Sequence, residues 1–160
     1  MDETTATNRG KLLGLFFLLA IGIAAYLIYD WQARQEAAEL RQMVELKNTS
    51  LAALENAEYD RAIEGFRTIA ETIPEEPLGL HNLTIAYLLK LKSLDAAREP
   101  KQYEELKEKL TESIAKLVDG EDGDPQKYYL AARVAELNQQ PEGMLAAYNS
   151  ASKLAPESAL

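Results

Sequence analysis

YDRAIEGFRTIAETIPEEPLGLHNLTIAY, residues 59–87, decides the fold. It reads as the second helix of one helical hairpin, a proline turn, and the first helix of the next. Ala62, Phe66 and Pro74 stand at fixed steps, and Leu80, Leu83, Thr84 and Tyr87 follow at helical spacing. Small residues such as Ala62 and Thr84 let two helices approach closely, while Phe66 and Tyr87 fill the space between neighbouring hairpins. Pro74 cannot continue a helix and biases Ile73 away from helical angles, so the chain turns there.

These steps match A-x3-F…P and W-x2-L-G-x2-Y, with Leu80 in place of Trp and Thr84 in place of Gly. The stretch therefore resembles the tetratricopeptide repeat (TPR) family. The resemblance implies an all-α array of about three antiparallel hairpins over 46–160. Residues 46–76 would form a degenerate first repeat, weakly marked by Leu46, Thr49, Ser50 and Ala53. The second, 77–124, is irregular: Leu80 and Tyr128 are 48 apart against a period of 34, so about 14 residues are inserted. Its helices are expected near 78–91 and 100–118, with either a longer helix pair or a protruding loop taking up the insertion. The third covers 125–156, where Met144, Tyr148 and Pro156 repeat the spacing of Ala62, Phe66 and Pro74. Phe66 and Tyr148 are then equivalent packing residues. Residues 157–160 read as entry to a further repeat, and no polar capping helix follows, so a longer protein is expected. More narrowly, residues 51–89 resemble the TPR leader of bacterial ASPIC/UnbV (FG-GAP) proteins, although no propeller motif is visible.

The N-terminal part reads as a membrane anchor. A polar tail, 1–11, precedes Leu12–Tyr29, LLGLFFLLAIGIAAYLIY, an uncharged run of 18 residues. At about 1.5 Å per residue such a helix spans roughly 27 Å, close to a bilayer core. Tyr26, Tyr29 and Trp31 cluster at one end, as interfacial aromatics do. An uncleaved signal-anchor is preferred over cleavage beside Gly22, Ala24 and Ala25, because the apolar run continues past them. Arg9 and Lys11 beside the run favour a single-pass bacterial inner-membrane protein with its helical domain exported to the periplasm. Residues 30–45 form a helical stalk of strong helix formers, with its break expected at Asn48, Thr49 and Ser50. Within 31–47 no heptad pattern persists for three repeats, so a coiled-coil dimer is not the reading taken.

The composition argues against several chemistries. A net charge of −9 disfavours nucleic acid as a partner. There is no cysteine and one histidine, His81, which leaves no familiar zinc site and no Cys–His pair. Phosphate-loop, HExxH and GxSxG motifs are all absent. Glu75–Glu76 and Glu104–Glu105 lie in polar turns and helix faces. DGEDGDP, 119–125, lacks calcium-loop spacing, with Leu130 where the last carboxylate belongs, and reads as a solvated connection. No enzyme, cofactor or metal is expected.

In TPR proteins the first helix of each hairpin lines a concave groove that holds a peptide or partner helix. The resemblance puts Leu51, His81, Asn82, Ile85, Tyr129 and Arg133 on that groove. Ile85 stands where the carboxylate-clamping class carries Asn, so that clamp is not carried over. The expected function is a membrane-anchored scaffold that binds a protein or peptide partner. The alternatives are a targeting and spacing leader for a downstream domain and a periplasmic assembly or secretion factor.

Overall fold

The computed structural model describes residues 3–120 and 124–155, with the side chains of residues 3–18 and 20 left out of the description. It contains α1 (Glu3–Glu55), α2 (Tyr59–Thr72), α3 (Pro77–Ser93), α4 (Pro100–Asp119), α5 (Gln126–Leu137) and α6 (Pro141–Leu154). The chain divides into two compact units, Met1–Val44 and Glu45–Leu160.

The anchor expectation is corrected. Among the described residues no helix is long and apolar enough to cross a membrane. Residues 12–18 and 20 of the expected span lie outside the described side chains. Its described part, Leu19 and 21–29, is only about half the roughly 20 residues a bilayer requires. It runs on without interruption into a charged stretch, where Asp30 is bonded to Arg34 at 2.8 Å. The transmembrane helix, the signal-anchor, the single-pass topology and the inner-membrane and periplasmic placement fall together.

No Gly or Pro occurs between Ile23 and Glu64, and the helix uses that freedom. It passes through Asn48, Thr49 and Ser50, where the break was expected. The Thr49 hydroxyl donates to the Glu45 carbonyl at 3.0 Å, and the Ser50 hydroxyl donates to Leu46 at 2.7 Å. Hydroxyls that bond back within the helix no longer compete with it. The chain turns instead at Asn56–Ala57.

That turn is a Schellman closure: Glu58 N–H donates to the Ala53 carbonyl, and Ala57 N–H to Leu54. Gln140 N–H to Ala135 and Gln139 N–H to Glu136 repeat it between α5 and α6, 82 positions on. Ala57 (φ 59°) and Gln139 (φ 56°) both occupy the left-handed position. The helix ends agree as well, with Ile73 at φ −130°, ψ 72° and Ala155 at φ −135°, ψ 73°. An L-residue at positive φ costs roughly 1–2 kcal/mol, and Gly relieves it at about 0.4–1 kcal/mol of added unfolded-state entropy. Ala57→Gly is therefore expected to stabilise the protein by about 0.5–1 kcal/mol in urea unfolding. An unchanged or lower midpoint would count against this closure.

Packing in residues 45–160 is sequential, α2 on α3, α3 on α4, α4 on α5 and α5 on α6, and α3 also reaches α5. In α2 the residues Ala62, Ile63, Phe66 and Ile69 form a buried stripe at helical spacing. Gly65 faces Ser50 so closely that a Cβ there would sit 1.9 Å from the serine oxygen. Thr84 and Ser113 make the corresponding close crossing of α3 and α4, their hydroxyls 2.5 Å apart and buried. Pro77, Pro100 and Pro141 each open a helix at its first turn, where no donor is lost. The helices of the middle pair are the longer ones: α3 has 17 residues and α4 has 20, against 12 in α5 and 14 in α6. Their connection, 94–99, is twice as long as the one between α5 and α6, and in it the Asp95 side chain accepts from Ala97 N–H at 3.0 Å. Phe66 is wholly buried but Tyr148 is 36% exposed, so the expected equivalence does not hold in burial. Pro156 and the expected repeat entry at 157–160 lie outside the described residues.

Candidate functional groove

Helices α3, α5 and α6 converge on a groove of about 480 Å³. From α3 come His81 and Ile85, one turn apart. From α5 come Gln126, Tyr129, Leu130 and Arg133, whose 3–4 residue steps put them on one face. Tyr148 of α6 closes the side, its ring edge-on to Tyr129 with centroids 6.2 Å apart and planes at 62°. Pairs of this kind hold both rings in place.

The polar groups are tethered. Arg133 Nη1 donates to Glu136 Oε2 at 3.0 Å. That hydrogen bond, and after it the nearby Tyr148 oxygen, raises the Arg133 guanidinium above its ordinary value, so it remains cationic. It is more than half exposed, and its charge faces solvent at the groove. His81 is buried. Its Nδ1 lies 3.6 Å from Asp124 Oδ2, too far for a hydrogen bond but close enough for attraction when the ring is protonated. Asp124 is itself fixed, since its Oδ1 accepts from Gln126 N–H at 2.9 Å. Lys127, on another side of α5, is almost wholly buried, donates to the Gly120 carbonyl and lies 5.4 Å from the Tyr128 ring. The described ends of the acidic connection thus act as helix fasteners; residues 121–123 lie outside the description.

Of the six residues placed on the groove from sequence, His81, Ile85, Tyr129 and Arg133 line it together. Leu51 and Asn82 are half-buried and do not. Gln126, Leu130 and Tyr148 were missed. The first two were readable as the helical neighbours of Tyr129 and Arg133, and Tyr148 had been assigned to inter-hairpin packing. No family model matches this chain. No curated protein matches it either.

A second groove, about 350 Å³, lies among α2, α3 and α4. Arg67 Nη2 approaches the Tyr87 hydroxyl at 3.4 Å, and this bond chiefly raises the guanidinium above its ordinary value. Its charges alternate in sign, Arg67, Lys109 and Lys116 against Glu71, Glu76 and Glu112, with Lys116 bonded to Glu112 at 2.8 Å. Three cations stand against three carboxylates, so the lining carries no net charge to draw a charged ligand. Among the described residues no group of three or more His, Asp or Glu side chains could hold a metal ion.

Proposed function

We propose that residues 45–160 form a TPR-like scaffold that binds a protein or peptide segment in the groove between α3 and α5. The observation that supports it is the meeting of Ile85, Leu130 and the Tyr129–Tyr148 pair with a solvent-facing Arg133 on one concave surface. Aromatic and Arg side chains carry most of the energy in such interfaces, while apolar neighbours exclude water. A mixed surface of this kind suits a helix or extended peptide that offers apolar residues beside a polar or acidic one.

The test is selection of peptides from a displayed random library on the whole protein, followed by anisotropy titration of the selected peptides. Tyr129→Ala and Arg133→Ala are each expected to weaken binding about fivefold or more, which is about 1 kcal/mol. Glu108→Ala, on the exposed face of α4, should leave it unchanged. Circular dichroism must show all three variants folded. Equal affinity of all three for the selected peptides removes the groove as the site.

A further inference from the structure

Nearly every described side chain over 19–44 is exposed, Ile21, Leu27, Ile28, Tyr29 and Trp31 included, and one row among them keeps heptad spacing. Leu19, Ile23, Tyr26, Ala33, Ala37, Leu40 and Val44 are all exposed, Leu40 at 65% and Val44 at 51%. Steps of three and four residues separate them once Asp30 is counted between Tyr26 and Ala33. They fill seven of eight a and d positions of a heptad over 19–44, with Asp30 the eighth. Residues 31–47 alone hold too few heptads to show this; the seam continues N-terminally through Leu19. In this frame Ile23 and Val44 are at a, and Leu19 and Leu40 are at d. At the two ends of the seam β-branched a stands with Leu at d, which favours two parallel strands, while Asp30 and Ala37 at a and Tyr26 and Ala33 at d fill the middle.

Charge selects the same partner and direction. Glu36 falls at g and Arg41 at the following e, the two positions that meet across a parallel dimer. Five residues apart on one helix, they do not face each other. Among the described residues neither has an ion-pair partner within the chain. A two-fold axis makes the Glu36–Arg41 pair twice. Asp30 falls at a, already bonded to Arg34 of its own helix at 2.8 Å. In register Asp30 faces its own copy across the seam, a like-charge contact that costs stability and that the Arg34 bond offsets in part.

We propose that residues 19–44 pair with a second copy of this chain as a parallel, in-register, two-stranded coiled coil. The partner it fits is self-complementary, apolar at a and d except for Asp30, with opposite charges at one g and e pair, Glu36 and Arg41.

Sedimentation equilibrium of the full chain tests this. The expected mass is twice the 17.8 kDa of one chain. Leu40→Glu with Val44→Glu should return the mass to one chain while helical circular dichroism persists. Glu36→Arg sets like charges opposite each other and should raise the dimer dissociation constant severalfold. Glu36→Arg with Arg41→Glu restores opposite charges and should recover most of the affinity. Because the chain has no cysteine, Leu40→Cys gives one thiol, which should oxidise to a dimer joined through equivalent positions. A single-chain mass for the unaltered protein, a mass of three or more chains, or a charge swap no better than Glu36→Arg alone overturns the proposal.

Discussion

Phe66→Ala should destabilise the protein by about 3–5 kcal/mol, the usual cost of emptying a buried aromatic site. Phe66 has no exposed surface, and the Ala62, Ile63 and Ile69 that share its stripe are buried as well. Helices held at both ends by turns have little room to collapse into the space, so the upper half of that range applies. For a chain of this length each kcal/mol moves the melting temperature by roughly 2–4 °C, so a drop on the order of 10 °C is expected. Tyr148→Ala is the comparison that gives the result meaning. Its ring is 36% exposed and its ring contact is with Tyr129, so about 1–2 kcal/mol is expected there. Equal losses at both sites would show that the two positions are equivalent after all and that the burial described for Tyr148 is wrong.

Gly65→Ala carries the second large effect. A methyl group at this position would stand 1.9 Å from Ser50 Oγ and 3.0 Å from Ser50 Cβ. The serine cannot swing aside without losing its 2.7 Å bond to the Leu46 carbonyl. Overpacking of this kind costs about 1–3 kcal/mol, and the gain in helix propensity on replacing Gly returns up to about 1 kcal/mol. The serine oxygen is the first atom met, so the cost should depend on it. In a Ser50→Ala background the same substitution should lose less, with a coupling of about 1 kcal/mol or more in a double-mutant cycle. Additive losses measured by urea unfolding would mean that α1 and α2 do not cross at these two residues.

The two substitutions mark how far the sequence could be read. Phe66, Ala62 and Pro74 were legible because each residue type has one strong consequence at its spacing: fill, approach or turn. Gly65 carries no such signal, since a glycine inside a helix looks like a weakness until its opposite number is known. The break at Asn48–Ser50 was misplaced for a related reason. Hydroxyl residues signal turns when their oxygens are free, and only the backbone geometry shows Thr49 and Ser50 bonded inward. Asn56–Ala57, where the chain does turn, carries no glycine or proline signal. The membrane span rested on apolar length, interfacial aromatics and the flanking Arg9 and Lys11, and eight of its 18 residues lie outside the described side chains. Four of the six groove residues meet because α3 and α5 follow the spacing. Asn82 misses the groove because one step from His81 turns a side chain by about 100°, and Leu51 lies on α1, which does not line it.

The paired Schellman closures also bear on how the chain folds. Each joins segments only a few residues apart, so each outer hairpin can form without waiting for distant parts of the chain. Folds made of such local contacts fold fast and can begin at more than one place. The outer hairpins are not equally anchored, since α6 buries only Ala151 whereas α2 buries five residues. Amide exchange should therefore run in a gradient, fastest in α6 and slowest in α2 and α3, with the C-terminal hairpin opening before the remainder unfolds.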